Sequence, residues 1–269
     1  MDEEVLLVDK PAGMSSFGVV ARVRRKLSEA VGHKVKVGHT GTLDPFATGL
    51  MILVIGKGTK RAAEFSKLDK VYEAKIRLGA TSTTGDPEGE ITIGQFVEPH
   101  FARLGQNDNF ASSSENDSPA HHFALPGKVV RGSDRFSELG KSVILTGENI
   151  RSANCPIVIS RAVSSFVGEV EQTPPVFSAI KIKGQRAYRL ARKGVEVEMP
   201  KRKVQIYSIE ILDYAWPYLR LKIHVSSGTY IRSLAADIGE KLGCGAYVES
   251  LRRTRVGEYD VGEVAELSR

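Results

Sequence analysis

Lys203-Val-Gln-Ile-Tyr-Ser-Ile-Glu-Ile-Leu212, followed closely by Tyr218-Leu-Arg-Leu-Lys-Ile-His-Val225, decides the fold class. In the first segment Val204, Ile206, Ser208 and Glu210 alternate with Gln205, Tyr207, Ile209 and Ile211, and the second segment alternates as cleanly. A period of two marks a strand whose two faces differ. Two such strands with no helix between them pair antiparallel, because a parallel pair needs a crossover. The expected fold is therefore α+β, a mixed but mainly antiparallel central sheet flanked by helices, rather than a doubly wound one.

Other elements read outward from this pair. Residues 71–79, Val-Tyr-Glu-Ala-Lys-Ile-Arg-Leu-Gly, alternate with Tyr72, Ala74, Ile76 and Leu78 on one side. Leu50-Met-Ile-Leu-Val-Ile55 is an unbroken apolar run and reads as a buried strand, while residues 4–9 form a short strand running into the turn Lys10-Pro11-Ala12-Gly13. Ser15 or Ser16 caps a helix from Phe17 to about Val31, with Val19, Val20, Val23 and Leu27 inward. Ser178 to Lys183 is expected as a strand. Gln185 to Lys193 is expected as a basic helix stopped by Gly194, and Ser233 to Leu242 as a helix ended by Gly243.

Residues 95–160 break this rhythm. The polar run from Gln106 to Pro119 is too poor in apolar groups to order itself, so the segment reads as an insertion, disordered around 105–120. His100, His121 and His122 lie in it without carboxylate or Cys neighbours at ligand spacing, and read as surface residues. Residues 1–94 and 161–269 are expected to form a single domain around it.

The chain has 269 residues, a net charge of +6 and a pI near 9.2. Residues 95–160 carry seven acids against six bases, so the positive charge belongs to the rest, which fits a polyanionic partner such as RNA. No apolar run approaches the ~18 residues needed to span a bilayer, and the acidic start Met1-Asp2-Glu3-Glu4 does not resemble a signal peptide. Cys155 and Cys244 form no Cys-x-x-Cys pair. A reducing cytoplasm, no disulfide framework and no metal site are expected.

One loop concentrates chemistry. Gly38-His-Thr-Gly-Thr-Leu-Asp-Pro-Phe-Ala-Thr-Gly-Leu50 places Asp44 in a stiff Gly/Thr/Pro segment directly before the apolar strand. Alone, an Asp-Pro turn more often caps local amides than performs chemistry. A second run, Ser226-Ser-Gly-Thr-Tyr-Ile-Arg-Ser-Leu234, turns a strand into a helix. Thr229 or Ser233 can cap that helix with Arg232 a surface charge, or Arg232 can face a buried acid, for which Asp44 is the obvious partner. Gly56-Lys57-Gly58-Thr59-Lys60 lacks phosphate-loop spacing, although its lysines can meet a backbone phosphate. Pro200-Lys201-Arg202-Lys203 reads as the solvated start of its strand. The run Leu251-Arg252-Arg253-Thr254-Arg255 adds cations suited to phosphate.

Lys10-Pro-Ala-Gly13, Gly38-His-Thr-Gly-Thr-Leu-Asp-Pro45, Tyr72, Gly228-Thr-Tyr-Ile-Arg232 and Leu251-Arg-Arg253, in that order, resemble the TruB-type tRNA pseudouridine synthases in their bacterial form. The resemblance covers about 4–94 and 161–260. It implies an isomerase that converts uridine 55 in the tRNA T loop to pseudouridine by base flipping, with no cofactor. Asp44 would be the essential carboxylate, Tyr72 would stack on the base and relay a proton, and Arg232 would keep Asp44 ionised. His39 would fill the vacated RNA stack, Tyr230 would shape the uracil pocket and Leu251 would close it. Lys10, Lys57, Lys60, Arg252 and Arg253 are the candidate contacts to the RNA backbone. The partner would be the T stem-loop of tRNA, met by a cytoplasmic monomer.

Against the family pattern, about 50 residues of the insertion are extra and Ser227 stands where many relatives have Lys. At this length no C-terminal PUA domain is expected, and the guide-RNA-dependent synthases are not the expected subgroup. Competing readings are a tRNA-folding chaperone using the same surface, a synthase acting on another RNA, and, more remotely, a glycosidase.

Overall fold

The computed structural model describes residues 5–94, 130–131, 156–178, 180–182, 184–191, 194–195 and 197–264. The run at 105–120 and His100, His121 and His122 lie outside the described residues.

In chain order the strands are β1 (Val5–Lys10), β2 (Val37–His39), β3 (Thr48–Ile55), β4 (Lys70–Leu78), β5 (Ala80–Ser82), β6 (Ile91–Ile93) and β7 (Val130–Arg131). Then come β8 (Gly168–Gln172), β9 (Lys181–Ile182), β10 (Gln185–Arg186), β11 (Arg202–Ala215), β12 (Tyr218–Val225), β13 (Ala246–Val256) and β14 (Tyr259–Asp260). The helices are α1 (Ser16–Val31), α2 (Ala62–Ser66), α3 (Pro156–Ser164), α4 (Ala187–Ala191) and α5 (Ile231–Lys241).

The central sheet runs β1-β3-β13-β4-β12-β11-β7, with β2 added to β3, β8 to β11 and β14 to β13. As the alternation requires, β11 and β12 pair antiparallel, Ile209 opposite Ile223 and Ile211 opposite Leu221. The mixed character comes from one parallel contact, β13 against β3, where Arg252 meets Thr48 and Arg253 meets Gly49. Gly49 is obligatory there: its φ is +106°, and a Cβ would lie 2.2 Å from the Arg253 carbonyl oxygen.

β3 explains its own unbroken apolar sequence. Met51 and Leu53 face the main core with Val19, Val20 and Val23 of α1, while Leu50, Ile52 and Val54 face a second cluster with Phe65 and Val256. A strand covered on both faces has no position left for a polar side chain. On β4 and β12, Tyr72, Ala74 and Ile76 join Leu219, Leu221 and Ile223 beneath α3 and α5. Each large side chain buried this way contributes about 1.5–3 kcal/mol.

Three boundaries differ from the sequence reading. α3 starts at Pro156 and buries Ile159, Ala162 and Val163 in the main core, so 156–160 belong to the folded domain rather than to the insertion. Where a helix is expected from 185, the described residues form β10 followed by the single turn α4, and 192 and 193 lie outside the described residues. The Ala187 and Tyr188 N–H groups donate to the Ile180 and Ser178 carbonyls, which ties this stretch back to the preceding segment and shortens the helix. α5 begins at Ile231, which carries Arg232 inside its first turn. Neither proposed cap acts: Tyr230 is the N-cap without a side-chain bond, Ser233 donates to the Thr173 carbonyl and Thr229 to the Ser226 carbonyl.

Candidate active site

The Asp44 loop is held from three directions. The hydroxyl of Ser16, buried at the start of α1, accepts from the Leu43 N–H (2.8 Å) and donates to the Leu43 carbonyl (2.9 Å). The Gly13 N–H (2.8 Å) and the Lys10 ammonium (3.0 Å) both donate to the Pro45 carbonyl. From β13, Arg253 donates to the Leu50 carbonyl (2.7 Å) and the Gly41 carbonyl (3.1 Å). A carboxylate between such anchors is pre-organised, so little ordering remains when a substrate arrives.

Arg232 meets that carboxylate. Its Nη2 donates to Asp44 Oδ1 at 3.3 Å and its Nε approaches Oδ2 at 3.0 Å. The same guanidinium donates through Nη1 to Asp86 Oδ2 (3.0 Å) and the Thr84 carbonyl (2.9 Å), and through Nη2 to the Phe177 carbonyl (2.8 Å). The side chains of Arg232 and Asp86 are each 4% exposed, against 32% for Asp44. The outermost member of the triad is the one open to a ligand. Burial is the largest effect on the Asp44 carboxyl and raises its pKa, and the Asp86 charge adds to this. Arg232, and more weakly Lys10, pull it back down. Arg232 thus offsets the burial of Asp44 without cancelling it.

Asp86 was not singled out in the sequence. It sits in Gly85-Asp86-Pro87-Glu88, where its carboxylate also accepts from the Thr84 hydroxyl and the Glu88 N–H. Asp86 is thus a second acid of the site, more deeply buried than Asp44. The one available signal was a second Asp-Pro turn, which does not by itself reveal a partner on α5.

Tyr72 and Leu251 share a sheet face. On β4 and β13 Tyr72 lies opposite Arg253, and Ala74 opposite Leu251, and both apolar side chains join Leu43 in the main core. Tyr230, half-buried, directly precedes α5, whose second residue is Arg232. His39 ends β2 opposite Leu53, and its Nδ1 is buried without a partner. Burial, then the charges of Arg253 and Arg186, lower its pKa, so the ring is neutral at neutral pH.

The five candidate backbone contacts separate. Lys57 and Lys60 are exposed in the 3-10 turn after β3, which is joined to the β2 side by the bond from the Gly56 N–H to the Lys36 carbonyl. Arg252 is half-exposed and pairs with Asp9 at 2.6 and 3.2 Å. Lys10 and Arg253 are placed otherwise than the sequence reading put them. Lys10 is fully buried, its ammonium donating to the Pro11, Met14 and Pro45 carbonyls, and Arg253 is 2% exposed. Lys10 spends its three donors on the loops around Asp44, and Arg253 donates to those loops through Nε and Nη2.

A cleft of about 460 Å³ opens on the other face of the sheet, among Glu73, Glu210, Lys222 and Arg255. Its charges face each other across strands, Lys222 between Glu73 and Glu210 and Arg255 opposite Asp260. It is a self-neutralised polar surface, and the chemically unusual groups lie on the Asp44 side. Among the described residues no three His, Cys, Asp or Glu side chains gather to hold a metal, and no helix is long and apolar enough to cross a membrane.

Comparison with known proteins places the chain in one family. The family model for the TruB family pseudouridylate synthase N-terminal domain matches residues 24–113 and 140–231, and that for the tRNA pseudouridylate synthase B C-terminal domain matches 232–269. The chain belongs to the TruB family of pseudouridylate synthases. It is 36% identical over 264 residues to tRNA pseudouridine synthase B of Dechloromonas aromatica, covering 98% of this chain and 68% of that one. With the Cupriavidus metallidurans protein of the same name the identity is 39%, covering 94% and 62%, and with the Phocaeicola vulgatus protein 38%, covering 95% and 86%. The chain thus spans between 62% and 86% of the length of these three relatives. Among solved structures, a Cbf5-Nop10-Gar1 complex matches at 24% identity with a TM-score of 0.56, covering 95% of this chain and 49% of that one, which shows the fold. The family match breaks only over 114–139, a narrower interruption than the 95–160 read from composition.

Proposed function

We propose that this chain isomerises uridine to pseudouridine at position 55 in the T loop of tRNA, working in the cytoplasm. The observation that carries the reading is the half-exposed Asp44 carboxylate, pinned at the head of β3 and paired with a buried Arg232. The reaction breaks the C1′–N1 bond, turns the uracil and joins C5 to C1′. N1 gains the proton that C5 loses, so neither water nor a redox partner enters the balance. A single ionised carboxylate serves the detachment, as nucleophile or as base, and the pairing of Asp44 with Arg232 favours that ionised form.

The target base lies inside a folded loop and must be flipped out, at a cost of about a few kcal/mol. His39, neutral and half-buried with a free Nδ1, suits the vacated stack. The rings of Tyr72 and Tyr230 and the side chain of Leu251 supply apolar walls for the base, and Lys57 and Lys60 supply phosphate contacts on the β2 side. Incubating an unmodified tRNA transcript with the protein and mapping pseudouridine tests this. Modification confined to position 55 is expected; none, or modification elsewhere only, contradicts it.

A further inference from the structure

Two side chains outside the Tyr230 motif determine where that ring stands. Gln172, at the end of β8, is 1% exposed and pairs twice with the Tyr230 backbone. The Tyr230 N–H donates to Oε1 (3.0 Å) and Nε2 donates to the Tyr230 carbonyl (3.2 Å). Directly across the β8–β11 ladder from Gln172 stands Arg202, whose guanidinium lies 4.6 Å from the centre of the Tyr230 ring. Its Nη2 donates to the carbonyl of Gly228, two residues before Tyr230, and its Nη1 would sit 3.4 Å from a Cβ at that glycine, whose φ is +86°.

Arg202 Nε is buried and has no hydrogen-bond partner. An orphaned buried donor needs an explanation. Here the guanidinium is placed by a ring and a turn carbonyl, and that placement leaves Nε facing neither a carboxylate nor water. The residue belongs to Pro200-Lys-Arg-Lys203, which reads in the sequence as a solvated strand start; the structure instead directs its charge onto the candidate uracil pocket.

We propose that Arg202 and Gln172 are positioning residues for the uracil pocket, fixing the plane of the Tyr230 ring against which the flipped base is set. Gln172 fixes the backbone and Arg202 fixes the ring, so the two act on one residue from adjacent strands. The inference rests on the uridine-isomerising reading and specifies how its base pocket is held.

The test is a double-mutant cycle on the full chain, Arg202→Met, Tyr230→Leu and both together, with Arg202→Lys and Gln172→Glu alongside. Thermal stability, dissociation constant for a T stem-loop, and single-turnover rate of pseudouridine formation are read for each. Arg202→Met is expected to lower the single-turnover rate by about 10–100-fold and leave the dissociation constant within about threefold of wild type. Arg202→Lys should recover part of the rate, and Gln172→Glu, which exchanges the donor to the Tyr230 carbonyl for an ionisable acceptor oxygen, should also lower rate more than affinity. In the Tyr230→Leu background Arg202→Met should cost nothing further in rate. Additive losses, an unchanged rate, or weakened binding at unchanged rate, which would make Arg202 a phosphate ligand, overturn the proposal. If the wild-type chain forms no pseudouridine, the functional reading fails and the pocket role with it. The stability cycle still reports whether the Arg202–Tyr230 contact exists.

Discussion

Arg232 and Asp44, 188 residues apart in sequence, meet at 3.0 Å between Nε and Oδ2 and at 3.3 Å between Nη2 and Oδ1. Arg232 is in turn fixed by Asp86 and two backbone carbonyls, so the position of the Asp44 carboxylate depends on groups behind Arg232.

Asp86→Asn is therefore expected to damage the reaction although Asp86 is 3% exposed. The amide keeps the shape but removes the charge that opposes Arg232. A misaligned guanidinium predicts a fall of about 100-fold in kcat with little change in KM. Steady-state kinetics on a T stem-loop check this; equal losses in kcat/KM and RNA affinity at normal kcat would contradict it.

The pH dependence follows from the raised pKa of Asp44. In the proposed reaction the group works ionised, so activity should fall as pH drops through a value above the ordinary carboxylate range of about 4. Replacing Arg232 by Gln removes a charge that lowers this pKa, so the acid limb of the residual activity should move to higher pH. Arg232→Lys should also be damaging, because one ammonium cannot serve Asp44, Asp86 and two carbonyls at once. Single-turnover rates between about pH 4.5 and 8, a window that opens just above that ~4 reference, test both statements.

Ser16→Ala should loosen the Asp44 loop from the α1 side. It leaves the buried Leu43 N–H unpaired, a cost of about 1–3 kcal/mol, and it removes one of the three anchors of the Asp44 loop. A lower melting temperature together with a larger drop in kcat than rise in KM is expected from calorimetry and kinetics on the same preparation.

The sheet and the start of α1 were legible in the sequence because they depend on short-range patterns. Alternation over 203–225 gave the antiparallel pair, the continuous run 50–55 gave a strand covered on both faces, and Ser15 is the N-cap of α1. What was not legible depends on tertiary placement. Lys10 and Arg253 look like surface cations until the fold surrounds them with carbonyls. Asp86 gains its partner from α5, 146 residues away. The expected helix over 185–193 gave way because residues 187 and 188 bond back to 180 and 178, an arrangement that local propensity does not encode.

Asp237 offers a stability test away from the pairing of Asp44. Burial, with Glu240 adding, raises its pKa to about 6. The folded state thus holds a proton that the unfolded chain releases, so this contribution is present below about pH 4 and lost as pH rises through 6. Asp237→Asn should raise the melting temperature near pH 7.5 by about 2–4 °C, corresponding to about 1 kcal/mol after allowance for solvent screening, and give no gain at pH 4. Paired thermal melts at the two pH values decide it.

The most direct measurement is the single-turnover rate of pseudouridine formation by Asp44→Asn on an unmodified T stem-loop, with RNA binding measured in parallel. The asparagine keeps the loop anchors supplied by Ser16, Lys10 and Arg253 and removes only the ionisable carboxylate. Binding close to wild type with a rate lower by about 10⁴-fold or more is the predicted result. Pseudouridine formation at a rate near that of the wild-type chain would contradict the assignment of Asp44 as the essential carboxylate.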